Sequence, residues 1–320
     1  MDLRRLRSFV KVVDLGSITR AADALHVAQP ALSQQMLAIE RLFGRKLLAR
    51  GRLGVTPTEA GLVAYRHAQL LLRQLEQAKA DVQVASDGLS GRVTLGIVPY
   101  SCASGLVVEL MKRTIARYPG VLLHIHENFE GVLASDLLQG RMDLAFLYEV
   151  SPRQGLFYSP LFAEPLCVVA PRRLGIPPSA NAGIDLAALA DIPLLLPSRI
   201  HAVRLVIEAC FESHHFKPRL LAEVESLETL AAAVEQGLGA SILPVFAAEA
   251  MARASDVLVR PLADTASELM LFLCSAEDRR PSEAVMAVHD LAADLAGKLL
   301  SAGGGVGRLD TAARRALSQD

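Results

Sequence analysis

The chain has 320 residues, 52% of them hydrophobic and 21% charged, with a net charge of −1. That length allows two or three domains with a sizeable core. No apolar run approaches the ~18–20 residues of a membrane span, and the charged start MDLRRLRSFV lacks an export signal's apolar stretch. Four scattered cysteines (Cys102, Cys167, Cys210 and Cys274) show no metal-ligand spacing, so reduced thiols in a cytoplasmic protein with no membrane partner are expected.

Charge is unevenly spread. Residues 1–58 carry ten basic side chains against four acidic ones, a net +6 that leaves −7 for the rest. A basic head on an acidic body suggests a polyanion partner for the head alone. Leu3, Leu6, Phe9, Val10 and Val13 form a helical stripe that Gly16 ends. Ser17 offers an N-cap to a second helix with Ile18, Ala21, Ala22 and Leu25 on one side. The tight turn His26-Val27-Ala28 leads to a third helix, with Pro30 in its first turn. That helix is expected to bury Leu32, Met36, Ile39 and Phe43, leaving Pro30, Ser33, Gln34, Leu37 and Arg41 opposite.

Leu47–Arg50 and Gly54–Thr56 read as short strands flanking a tip of Gly51, Arg52 and Leu53. Thr56-Pro57-Thr58-Glu59 reads as a capping box opening a helix to about Ala85. Its stripe (Gly61, Ala64, Tyr65, Ala68, Leu71, Leu72, Leu75, Ala78, Val82) either packs on its own domain or pairs with a second copy. Its place between head and body favours the second copy. Asp87–Gly91 reads as a linker, after which strands alternate with helices to about Leu300, an α/β pattern expected to hold parallel sheets. The glycine-rich segment 302–320 is expected to be disordered.

Two short helices, a tight turn and a hairpin make a winged helix-turn-helix. The polar start of the third helix then has a purpose, because a helix fits the major groove and its first residues reach base edges. Gln29 and Gln34 can read adenine, Ser33 serves either base, and Leu37 suits a thymine methyl. Arg50 and Arg52 on the wing suit phosphate or minor-groove contact.

The stretches "FVKVVDLGSITRAADALHVAQPALSQQMLAIERLFGRKLL" and "GVTPTEAG" resemble the N-terminal domain of LysR-type transcriptional regulators. "HENFEGVLASDLLQGRMDLAFLYE", "LLLPSRIHAVRL" and "ESLETLAAAVEQGLGASILP" resemble that family's effector domain, most of all in its nitrogen assimilation control subfamily. The resemblance implies a winged helix-turn-helix over 1–58, a dimerising linker helix over 59–88, and a two-lobed, periplasmic-binding-protein-like α/β effector domain over 89–301. It implies double-stranded promoter DNA and RNA polymerase as partners, and a homodimer or homotetramer. Carried over by position, DNA contacts fall on Gln29, Pro30, Ser33, Gln34 and Arg50. Leu53 stands where many members have a basic residue, with Arg52 beside it as a substitute.

The implied cleft between the lobes would be lined by Ser101, Cys102, Ser104, Asn128, Tyr148, Ser198, Arg199 and Val203. Arg199 would favour an anionic effector, whereas Glu127 or Glu149 facing inward would oppose one. Ser101 and Ser198 serve equally well as helix caps. His124 and His126 share one face of a strand, but no third ligand is near in sequence, and packed strand histidines are the expectation. Gly237-Leu-Gly239 lacks the rest of a dinucleotide fingerprint, and no nucleophile elbow is present, so neither a cofactor nor an enzyme is expected. The alternative to a regulator is a cytoplasmic small-molecule binding protein without sequence-specific DNA recognition.

Overall fold

The computed structural model describes residues 2–51, 54–84, 89–148, 152–174, 176, 183–263 and 268–301. Two compact units divide the chain, one essentially Met1–Gly91 and the other built from Arg92 onward.

In the first unit, α1 (Leu3–Leu15) starts at Asp2, whose carboxylate accepts the Arg4 N–H at 3.0 Å, and ends at Gly16 with φ +60°. Ser17 caps α2 (Ile18–Ala24) as its position foretells, accepting the Arg20 N–H. A turn through left-handed His26 leads into α3 (Gln29–Phe43), which Gly44 closes at φ +63°. Leu32, Met36 and Ile39 are buried as expected, but Phe43, the last residue of the helix, is 45% exposed. Leu3, the first residue of α1, is exposed as well, and Val12 takes a place in the core. Each fully buried Phe or Leu contributes ~1.5–3 kcal/mol, so these faces hold the helices together.

The wing is an antiparallel hairpin of β1 (Leu48–Gly51) and β2 (Gly54–Pro57). Its tip, Arg52 and Leu53, lies outside the described residues, as does the side chain of Arg50. Pro57 pairs with Leu48 as the last residue of β2, so the helix cap falls two residues later than Thr56: Thr58 Oγ1 accepts the Gly61 N–H at 3.0 Å. The helix it opens, α4 (Glu59–Val84), is split in its allegiance. Ala64 and Ala68 are buried, and Tyr65 and Leu72 partly so, against the head's own core. Tyr65 donates to the Asp14 carboxylate on α1, and burial first, then Asp14, pushes its phenol up to about 12. Leu71, by contrast, is 41% exposed. The side chain of Val82, most of the linker and segment 302–320 lie outside the described residues.

The second unit begins with β3 (Ser90–Ile97), α5 (Ala103–Arg117), β4 (Gly120–Glu127), α6 (Glu130–Leu138) and β5 (Leu144–Tyr148). Next comes β6 (Leu156–Pro171), a single 16-residue strand where the apolar runs suggest two. Then follow β7 (Leu194–Leu196), α7 (Ala202–Ser213), β8 (Leu220–Glu223), α8 (Leu227–Glu235) and β9 (Ser241–Pro244). The unit ends with α9 (Val245–Ala254), β10 (Val257–Pro261), β11 (Glu268–Ala276) and α10 (Glu283–Ser301). Alanine-rich α9 follows β9 directly and has no side-chain cap, so nothing in the local sequence marks its start.

The expectation of parallel sheets needs correcting. β3 runs parallel to β5 and β7 to β8, but β11 and β6 are antiparallel to each other, as are β6 and its partners β9 and β10. The long β6 explains the two lobes. Its first part, Leu156–Pro165, pairs with β11 in the sheet containing β3, β4 and β5; its second part, Leu166–Pro171, pairs with β9 and β10. A bridge between Leu194 and Ala240 attaches the β7–β8 pair to this second lobe.

Candidate nucleic-acid interface and ligand cleft

With Leu32, Met36 and Ile39 buried, α3 turns a fixed polar face outward. Gln29, Pro30 and Gln34 are exposed, and Ser33 and Leu37 are half-buried. Gln29 Nε2 donates to Ser33 Oγ at 3.1 Å, one turn apart, so two of the candidate base readers hold each other in place. Ala28 gives the helix no side-chain cap, and Pro30 has no amide hydrogen to leave unpaired. This face brings Gln29, Pro30, Ser33, Gln34 and Leu37 together on one surface. The backbone of Arg50 pairs with Val55 in the adjoining hairpin.

In the second unit a cavity of about 470 Å³ opens between the lobes, where β3 gives way to α5. Tyr100 anchors it. Its backbone is left-handed (φ +59°), a strained conformation for a bulky residue. From there its ring enters the second lobe's core and its hydroxyl donates to the Val224 carbonyl at 2.8 Å. Ser101, Cys102 and Ser104 line the cavity as expected, joined by Glu127, Glu225, Ser226, Phe246 and Arg253. Ser101 Oγ donates to the Val98 carbonyl and accepts the Ala103 N–H in the turn before α5, whose N-cap is Cys102 with no side-chain cap bond.

The other expected cleft residues do not line this cavity. Asn128 accepts the Phe129 N–H, and Val203 is buried in α7. Tyr148 is fully buried and donates to Glu164 Oε1 at 2.5 Å. Arg199, expected to favour an anion, instead gives its guanidinium to Glu208 at 2.6 and 2.8 Å, with 68% of its side chain exposed. Ser198 turns to Glu225: burial alone would raise that carboxyl, but hydrogen bonds from Ser198 and His201 bring it below the usual carboxylate range.

Sequence reasoning missed several polar groups at the lobe junction. His201 is 1% exposed, its Nε2 lies 2.6 Å from Glu225, and its ring stands edge-on between Tyr100 and Phe129. Its Nδ1 meets no hydrogen-bond partner among the described residues. Glu164, on β6 where it passes from lobe to lobe, is wholly buried. Its Oε1 accepts the Tyr148 hydroxyl and the Cys102 N–H. Burial raises its pKa against those hydrogen bonds, and burial also pushes the Cys102 thiol well up, away from thiolate chemistry. Only a helix in α9 could have announced Phe246 and Arg253. On β4, the Nε2 atoms of His124 and His126 lie 3.1 Å apart. Among the described residues no three His, Cys, Asp or Glu side chains form a group that could hold a metal, and no helix is long and apolar enough to cross a membrane.

Comparison with known proteins matches both units. Residues 3–62 fit the "bacterial regulatory helix-turn-helix protein, lysR family" model, and residues 86–297 fit the "LysR substrate binding domain". The chain is 39% identical to the nitrogen assimilation regulatory protein nac of Escherichia coli (strain K12), over 78% of this chain and 81% of that one. To the protein of the same name in Klebsiella aerogenes it is 38% identical, over 85% and 88%. Among solved structures it is similar to a variant of full-length OxyR from Pseudomonas aeruginosa, at TM-score 0.70 and 26% identity, covering 97% of this chain and 99% of that one. Full-length CbnR complexed with target DNA shares the fold, at TM-score 0.68 and 21% identity, covering 93% and 99%. A helix-turn-helix head and a two-lobed α/β body, each matched to its own family model, make the chain a member of the LysR family of transcriptional regulators.

Proposed function

We propose that this regulator reads double-stranded promoter DNA through the outward face of α3, using Gln29, Pro30, Ser33, Gln34 and Leu37, with Arg50 and Arg52 of the wing on the flanking backbone. The carrying observation is that polar face itself: it is held outward by three buried residues, with Gln29 already bonded to Ser33. The regulator works in the cytoplasm on RNA polymerase, as a homodimer or homotetramer joined through the exposed part of α4. A small-molecule effector seats in the interlobe cavity and biases the lobe angle across β6. Similarity to two proteins named for nitrogen assimilation supports genes of that pathway as targets. The domains run over 1–58, 59–88 and 89–301. Ser33→Ala and Gln34→Ala should each weaken binding to a mapped operator by about one to two decades and relax base preference, since a good base contact is worth ~1–3 kcal/mol. Equal affinity and unchanged base preference in both variants would remove α3 as the reader. Binding that depends on salt but on no sequence would favour the alternative, a small-molecule binding protein without sequence-specific recognition.

A further inference from the structure

The recognition helix and the wing are joined by one carboxylate. Glu40 lies a turn before the end of α3, its side chain only 11% exposed. Its Oε1 accepts two backbone N–H groups of the segment entering β1, from Leu47 at 2.9 Å and Leu48 at 3.2 Å. Its Oε2 takes the Lys46 ammonium at 3.1 Å. Burial would raise this carboxyl, but the hydrogen bonds outweigh it and hold the group below its ordinary value. A partner as exposed as Lys46, at 75%, adds little by itself; the two charge-assisted bonds to the backbone are the stronger link. A groove of about 410 Å³ runs along this junction, with Ser33 and Leu37 on its helix side and Lys46 and Leu48 on its wing side. Glu40 lines the same groove. A carboxylate on a surface meant for DNA opposes binding through its charge, so its presence calls for a compensating role.

We propose that Glu40 is a positioning residue for DNA recognition: through Oε1 it sets the wing at a fixed offset from the recognition helix, so that base and backbone contacts are made together. This rests on the reading of α3 and the wing as the DNA-contacting elements. Because both backbone bonds go to Oε1, a glutamine can keep them while losing the charge. The test is binding of full-length wild type, Glu40→Ala, Glu40→Asp, Glu40→Gln and Lys46→Met to the mapped operator and to unrelated DNA, with hydroxyl-radical footprints and salt titrations. Glu40→Ala and Glu40→Asp, whose carboxylate falls short of β1, should lose about ten-fold in operator affinity. They should also lose about one unit of salt slope and the footprint at wing-facing nucleotides, while keeping the backbone protection that flanks the α3 contacts. Glu40→Gln and Lys46→Met should stay within about three-fold of wild type. If Glu40→Ala and Glu40→Gln bind alike, tighter or weaker, charge rather than position is at work and the proposal fails. It fails too if Glu40→Ala melts earlier but binds with an unchanged footprint. Should Glu40→Ala not fold, the Asp and Gln pair decides by the same criterion. A wild-type protein without operator preference defeats the reading beneath the proposal, and Glu40 with it.

Discussion

Gly61 sets two magnitudes against each other. It stands in the first turn of α4, where replacing glycine with alanine ordinarily gains ~1 kcal/mol of helix propensity. Here a Cβ would lie 1.9 Å from the Leu47 carbonyl oxygen and 2.9 Å from its carbon. Restoring an ordinary contact of ~3.5 Å needs a backbone shift of more than about 1 Å. Leu47 is not free to give way. Its oxygen accepts the Thr58 N–H at 2.9 Å, its N–H is held by Glu40, and its side chain is 1% exposed. Thr58 in turn donates through Oγ1 to the Lys46 carbonyl at 2.7 Å. A shift of that size breaks or weakens three hydrogen bonds at ~1 kcal/mol each and adds ~1–3 kcal/mol of overpacking. After the propensity gain is deducted, Gly61→Ala should destabilise the head by ~3–5 kcal/mol and weaken operator binding. Urea unfolding of the full chain, with hydrogen exchange at the Thr58 and Leu47 amides marking the head's transition, measures this. A variant as stable as wild type, or more stable, would refute the close approach of α4 to the wing root.

Glu164 carries a raised folded pKa, so its contribution to stability is full below its ordinary value of 4.5 and declines as pH rises toward the folded value. Glu164→Gln, which keeps an oxygen for Tyr148 and the Cys102 N–H, should flatten that decline. The wild-type slope is at most ~1.4 kcal/mol per pH unit, and parallel stability–pH curves for the two proteins would count against the assignment. Leu71→Glu with Leu75→Glu, chosen because Leu72 partly belongs to the head's own core, should dissociate the oligomer in analytical ultracentrifugation; a monomeric wild type at micromolar concentration defeats the α4 interface. A thermal-shift screen of amino acids and organic acids should find a compound that adds ~2.7 kcal/mol at 100 times its dissociation constant. Glu225→Gln should abolish that gain, and no shift with any compound ends the effector reading.

What the sequence determines by itself is local. Asp2 and Ser17 cap helices because cap and helix are neighbours in the chain, and Leu32, Met36 and Ile39 share a face because 3.6-residue periodicity puts them there. The head, the wing and the alternating body were legible on those terms. Tertiary structure decided what depends on distant partners. Pro57 closes a strand rather than opening a helix because it meets Leu48 across the hairpin. The stripe of α4 divides because its first half finds the head's core. β6 runs unbroken through Leu156–Pro171 because β9 and β10 take up the pairing where β11 leaves off. The cleft is the extreme case. Tyr100, Glu225 and Phe246 come from three widely separated segments, and no spacing in the chain encodes their convergence on one cavity. Only the packing of two lobes about β6 brings them together, because burial and hydrogen bonding reward proximity in space whatever the separation in sequence.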